Sequence, residues 1–358
     1  MYERRWCVVR MSDSDGSAET SNAMADRVPG GRPVLWLLVE GNRVLVAGAM
    51  LAVSYVILVG LGEFGPGSIS KLFDPAPISA VFTPTIIGII MGVTLVLTFN
   101  QFVLAEELGP VDDQRKRMAG ALEFRRDAED AVGRTTSPPE PSAFLRGLVE
   151  ATGDRADELL AALESAPELD DAVRADVREY AEGVAADADR VADSLEGKEF
   201  GRFEVVKAAL EYNYSWKIYT GNRVRNRHEG ALPDAVDDEL EELLEVLGFF
   251  GPAREHFKTL YFRWEIITLS RVLATLALPA LAVSAYMILV FEVGDVAGTT
   301  AGLDHGLLIV GVGFALGVAP FAIFLSYILR IVTVAKWTLA IGPFILRETD
   351  RGSDVEWE

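Results

Sequence analysis

Four stretches of this chain, residues 44–62, 84–105, 272–291 and 306–329, run for about twenty positions each without an Asp, Glu, Lys, Arg or His. At a rise of about 1.5 Å per residue, each is long enough to cross a hydrocarbon core of about 30 Å as a helix. Charges stand at the edges. Glu40 and Arg43 precede the first stretch, Glu106 and Glu107 follow the second, and Glu265 and Arg271 lead into the third. A backbone surrounded by lipid must satisfy its own hydrogen bonds, which leaves helices or closed barrels. Runs of this length select helices. The expected fold is all-α: a polytopic membrane protein with four transmembrane helices in two hairpins and a helical bundle inserted between the second and third.

Composition agrees with such segregation, since a mean hydropathy of +0.23 coexists with 24% charged residues. The acids outnumber the bases 53 to 33, a net charge of -20, and only 7 of the bases are Lys. Crowded carboxylates repel in dilute buffer, but at 1 M salt the repulsion is screened over roughly 3 Å. The expectation is a salt-adapted protein. One cysteine, Cys7, excludes an internal disulfide or a Cys-based zinc site. His228, His256 and His305 lie in separate segments with no second ligand at metal-binding spacing, so neither a metal nor a cofactor is expected.

The Lys and Arg bias orients the chain. The loop at 63–83 holds only Lys71 and the loop at 292–305 holds no Lys or Arg. Arg27, Arg32 and Arg43 precede the first span; Arg115, Lys116 and Arg117 follow the second; Arg254, Lys258, Arg263 and Arg271 precede the third; Arg330, Lys336, Arg347 and Arg351 follow the fourth. Both termini and the large middle segment are therefore expected in the cytoplasm of a cell-membrane protein. The divisions are a disordered tail over 1–32, a first hairpin over 33–108, an acidic bundle over 109–263, a second hairpin over 264–330, and an interfacial segment with a polar tail over 331–358.

Within the bundle, Asp112 and Asp113 suit a helix start and the linker at 135–141 a loop. Residues 150–199 carry sixteen acids against five bases with Ala, Leu and Val at helical spacing, as in a heavily solvated helix pair. Val236, Leu240, Leu243, Leu244 and Leu247 form one apolar stripe, and Gly248 with Gly251-Pro252 is expected to end that helix. A further helix from Ala253 would then enter the third span.

Three constellations are candidates for function. On the second span, with Thr83 as cap and Pro84 at the first helical position, Thr83, Thr94, Thr98 and Gln101 fall within an arc of about 60°. They are candidate pore-lining residues, although Thr hydroxyls also bond their own i-4 carbonyls in any membrane helix. Gly88 and Gly92 lie roughly opposite, and with Gly306, Gly313, Gly317, Ala280 and Ser284 they are candidate helix-packing positions. The segment 212–228 gathers Trp216, Lys217, Arg223, Arg225 and Arg227, candidate contacts for lipid headgroups or an anion. The competing reading makes its aromatics core and pairs its arginines with the acidic helices.

No nucleophile, acid-base pair or ligand set is apparent on the membrane face, and the absence of ionisable groups within the spans disfavours proton-coupled transport. The leading expectation is a non-enzymatic membrane protein whose cytoplasmic bundle is a scaffold, partner-binding or sensory module. The lipid bilayer is its first partner, a cytoplasmic protein and a homo-oligomer are the others, and nucleic acid is disfavoured. The competing expectation is a passive oligomeric channel.

Overall fold

A computed structural model of the chain describes residues 31–65, 75–107, 109–199, 201, 203–296 and 298–338. Nearly all of the tail expected over 1–32, Lys71, and the polar end beyond residue 338 lie outside the described residues. What is described is almost wholly helical. A short helix α1 (Gly31–Leu35) runs into a π-helical turn (Trp36–Glu40), then α2 (Arg43–Phe64) and α3 (Pro75–Glu107). The middle holds α4 (Val111–Val132), α5 (Pro141–Glu164), α6 (Asp171–Leu195), α7 (Phe203–Glu211) and α8 (Tyr214–Arg227). Helix α9 (Asp234–Leu289) follows, then a 3-10 turn (Val293–Asp295), a two-stranded hairpin of β1 (Thr299–Thr300) and β2 (Leu303–Asp304), and α10 (His305–Thr338). Among the described residues, four helices are long and apolar enough to cross a membrane: α2, α3, α9 through its apolar part, and α10.

The helix ends follow local chemistry. Asn42 caps α2 by accepting from the Val44 N–H at 2.9 Å, Glu140 caps α5 from the Ala143 N–H at 2.7 Å, and Asp170 caps α6 from the Ala172 N–H at 2.8 Å. Gly133, at φ 71°, closes α4 in the left-handed conformation that glycine adopts without a Cβ penalty. In the helical bundle, α5 packs on α6 on one side and on α9 on another, and α8 packs on α9 and less on α6. Leu159, Leu163, Val177, Ala181, Leu240 and Leu247 are fully buried there. Truncating one such Leu to Ala costs about 2–5 kcal/mol.

Three expectations about boundaries are corrected. Gly248 and Gly251-Pro252 do not end a helix: α9 runs unbroken for 56 residues, about 84 Å at helical rise. The Pro252 ring points outward to an exposed position, and the missing side chain of Gly251 leaves room for Tyr214, whose ring carbons would lie 2.8–2.9 Å from a Cβ there. Packing on both flanks holds the helix together through the lost hydrogen bond. Thr83 and Pro84 do not start the second membrane helix, because α3 begins at Pro75, and both lie exposed inside it. Residues 331–338 are not a separate surface helix but the last turns of α10.

Helix α2 packs chiefly on α10, α3 packs chiefly on α9 and less on α10, and α9 and α10 pack on each other. Between α2 and α3 opens an apolar groove of about 600 Å³ lined by Leu58, Leu61, Ile78, Phe82, Leu307 and Phe314, among others. The neighbours in sequence therefore meet mainly through α10.

Candidate functional site: a buried node where the bundle meets the apolar helices

Four elements converge on one buried polar cluster. Arg43 opens α2, Tyr261 and Glu265 sit one turn apart on α9, Arg330 lies on α10, and the carbonyls of residues 37–41 come from the π-helical turn and the residue after it. Arg43 is 3% exposed, Glu265 6% and Arg330 9%. The Arg43 guanidinium donates to the carbonyls of Gly41 (2.6 and 2.9 Å), Ser326 (3.0 Å) and Leu38 (3.2 Å). Arg330 donates to the carbonyls of Gly41 (2.7 Å) and Val39 (2.8 Å) and to Glu265 Oε1 (3.0 Å). The Tyr261 hydroxyl donates to the same Glu265 oxygen. The Phe203 ring lies 5.7 Å from the Arg330 guanidinium carbon, so α7 also reaches the cluster.

The charges are two cations against one carboxylate, which would be costly in a dry site. The remaining negative potential comes from the backbone. Residues 37–41 end a helical turn, and the carbonyls there carry the partial negative charge of a helix C-terminus. Around this polar centre, Leu35, Val39, Phe203, Val206, Leu210, Tyr261 and Val334 close an apolar shell. The N-terminal segment is thereby strapped to α9 and α10 at the level where the bundle gives way to the apolar helices. In the sequence, Arg43, Glu265 and Arg330 stand as charges at the edges of apolar runs. Nothing local indicates that positions 43, 265 and 330 meet.

The structure distributes the other candidates differently. Thr83, Thr94, Thr98 and Gln101 are all exposed on the outer surface of the chain, with the Thr94 hydroxyl donating to the Ile90 carbonyl (2.8 Å) and Thr98 to Thr94 (2.9 Å). Helix α3 packs through a third face, formed by Ile78, Phe82, Ile89 and Val96. Gly88 and Gly92 meet no neighbour: nothing lies within 4 Å of a Cβ built on either, and they line an apolar groove of about 360 Å³ with Gly317, Pro320, Phe321 and Phe324. Gly306, Gly313 and Gly317 stand against Val293, Met287 and Ser284 respectively, and Ala280 packs with Ile89. A further interhelical polar contact joins α3 and α9, where Asn100 Nδ2 donates to Ser270 Oγ.

The basic stretch 212–228 is turned inward. Tyr212 and Tyr214 pack on Phe250, with ring centroids at 4.8 and 5.8 Å. Trp216 is half-buried and stacks on Tyr219 at 5.3 Å. Lys217 is buried over the Tyr212 ring and paired with Asp187. Burial lowers the Lys217 ammonium below its usual range despite the attraction of Asp187. On Asp187 burial pulls upward, but Lys217 and then Arg190 outweigh it and leave the carboxyl low. Both partners move downward because the deeper lysine carries the larger desolvation, and the ionised pair is the state that the geometry holds. Arg225 forks onto Asp237 (2.7 and 2.8 Å) and Glu241 (2.7 Å), Arg227 and His228 reach Asp176 at 3.4 and 2.9 Å, and Arg223 is also engaged within the chain. Lys217, Arg225 and Arg227 thus meet protein carboxylates, while the Arg227 side chain stays exposed.

One family model matches residues 10–358, nearly the whole chain. The chain belongs to that family, DUF7972. DUF7972 is described as a family of unknown function. No curated protein and no solved structure matches the chain. Because the DUF7972 match spans the apolar helices and the bundle together, the node that joins them lies within the family's common extent.

Proposed function

We propose that this protein is an integral membrane protein of a salt-adapted cell, with both termini and the acidic bundle in the cytoplasm. The bundle is a non-enzymatic scaffold, partner-binding or sensory module whose state is coupled to the membrane helices. The observation that carries this reading is α9, a single helix of 56 residues that belongs to the bundle core at Leu240 and Leu247 and to the apolar helix pair at Leu273 and Ala280. A rod shared by two layers transmits displacement or torque between them, provided that it is gripped where they meet. The Glu265–Arg330–Arg43 node is such a grip. The Lys and Arg bias of the flanks supports the cytoplasmic placement.

Two measurements test the reading. Protease added to sealed inside-out vesicles should cut within residues 109–263, and protease added to intact cells should not; the opposite pattern defeats the orientation. Crosslinking in cells should capture a cytoplasmic protein on the bundle, and the recovery of this chain alone would remove the partner-binding role. The rival is a passive oligomeric channel lined by the exposed Thr83, Thr94, Thr98 and Gln101 stripe. It requires solute flux in liposomes that Thr94→Leu with Thr98→Leu abolishes.

A further inference from the structure

One face of α3 is left bare by the described residues. Ile78, Phe82, Ile89 and Val96 are buried on its packed face, and Gly88 and Gly92 line the groove beside α10. Past Pro84 a further face carries Ile87, Ile90, Thr94, Leu97 and Gln101, all exposed, with Ile87 and Ile90 at 53% and Leu97 at 50%. At 100° per residue these five fall within an arc of about 80°, centred about 125° round the helix from the packed face. Their spacing is three, four, three and four residues, the a and d positions of a heptad. Such a seam drifts about 20° per heptad on a straight helix, so it closes on a second helix that crosses at about 20° in a left-handed supercoil.

Helices in a bilayer associate by close packing, since lipid tails are as apolar as leucine, and a knob enters a hole only on a partner with the same repeat. Lipid tails have no such repeat. Gln101 adds a polar demand. It stands about 7 Å inside Glu106, the first charge on α3, and makes no hydrogen bond among the described residues. The Thr94 hydroxyl is already satisfied by the Ile90 carbonyl, which leaves the Gln101 amide as the seam group in want of a partner. A primary amide both donates and accepts, so it matches a second amide that faces it. No residue from 75 to 105 is ionisable, and two identical seams therefore meet without opposing like charges.

We propose that α3 pairs with α3 of a second copy along this seam, in a parallel two-fold dimer. Ile87, Ile90, Thr94 and Leu97 interlock, and the two Gln101 amides bond across the axis. The inference rests on the membrane-spanning reading of α3. Copies inserted by the same charge bias run parallel, and a two-fold axis then sets each seam residue against its counterpart. The β-branched Ile87 and Thr94 at a, with Leu97 at d, favour two strands, and a single polar group at an a position, Gln101, fixes the register. A seam two helices wide encloses no lumen, so this pairing excludes a channel lined by the same face.

The test uses the full chain with Cys7→Ser, which removes the single cysteine, reconstituted in phospholipid vesicles with one new cysteine at a time: Ile90→Cys, Leu97→Cys, Leu95→Cys or Val312→Cys. Leu95 is 50% exposed but lies about 120° off the seam. Copper-phenanthroline oxidation should give a covalent dimer at 90 and at 97 in several-fold higher yield than at 95. Equal yields at the three positions, or none at 90 and 97, overturn the seam. Light scattering of the cysteine-free chain in mild detergent should give two copies; one copy, or more than two, overturns the dimer. Gln101→Leu should raise the dissociation constant by roughly 3- to 30-fold, and an unchanged constant overturns the amide pairing. Val312 is 49% exposed on α10. Should its cysteine react with a membrane-impermeant maleimide, the membrane-spanning reading falls and the seam with it; Val312 shielded with no dimer at 90 and 97 defeats the seam alone.

Discussion

At the scale of single residues, Glu265 has the largest predicted effect. Among the described residues it is the one carboxylate paired with the buried Arg330 guanidinium, and Glu265→Gln keeps an acceptor there but removes the charge that offsets the cations of the node. Removing one partner of a buried pair costs about 3–5 kcal/mol. Unfolding of the detergent-solubilised chain should register that loss, and a double-mutant cycle with Arg330→Met should show strong coupling between the two positions. A cost under about 1 kcal/mol, the scale of a surface pair, would mean that the node does not grip. Arg225 supplies a pH prediction. Hydrogen bonding from Arg225 holds the Asp237 carboxyl below its ordinary 3.8. A depressed acid stabilises the fold above its unfolded value, and the contribution disappears as pH falls through the folded value. Arg225→Gln should therefore be less stable than the parent at neutral pH, and the difference should shrink as pH drops below about 3.8, read from denaturant midpoints at pH 7 and pH 3. An unchanged difference at pH 3 would assign the effect to Arg225 packing.

At the scale of elements, the glycines divide into two kinds that sequence alone does not separate. A Cβ on Gly221 would lie 2.5 Å from the Tyr180 hydroxyl and 2.7 Å from Leu244, and one on Gly251 would enter the Tyr214 ring. Gly221→Ala and Gly251→Ala should cost about 1–3 kcal/mol by overpacking. Gly248 and Gly183 have nothing within 4 Å and sit within α9 and α6, so alanine there should add about 0.5–1 kcal/mol of helix stability. Thermal unfolding of the four variants checks both signs. The same contrast explains what the sequence made legible. Hydropathy is additive along the chain, so it suffices to place the four apolar helices. Pro84 and Gly251-Pro252 read as boundaries because a breaker acts locally, yet packing around Tyr214 carries α9 across its break. The node escaped because Val39, Arg43, Glu265 and Arg330 are brought together only by the tertiary fold, and each alone looks like an ordinary flanking residue. The basic stretch 212–228 is ambiguous for a related reason: its acceptors Asp176, Asp187, Asp237 and Glu241 are 12 to 52 residues away.

At the scale of the whole molecule, charge should set the conditions for stability. With net charge -20 on the chain, the protein should gain stability steadily from 0.1 M to several molar KCl, as the screening length falls from about 10 Å toward 3 Å and below. Melting temperatures across that series measure it, and a flat response would remove the salt-adapted reading. Helix order also bears on how the protein comes to be assembled. Helices α2 and α3 find their main packing on α10 and α9, not on each other. The third apolar stretch begins some 165 residues after α3 ends at Glu107. At a synthesis rate of about 5–20 residues per second, α3 waits roughly 8–33 s for its partner surface to be made, and α2 waits longer because α10 starts only at His305. During that interval the Asn100 side chain and the start of α2 at Arg43 face lipid or an insertion factor without Ser270 or Ser326 to receive them. The newborn N-terminal half is thus a client for whatever holds unfinished membrane chains, and a stop codon placed after α4 should yield a fragment that is cleared quickly.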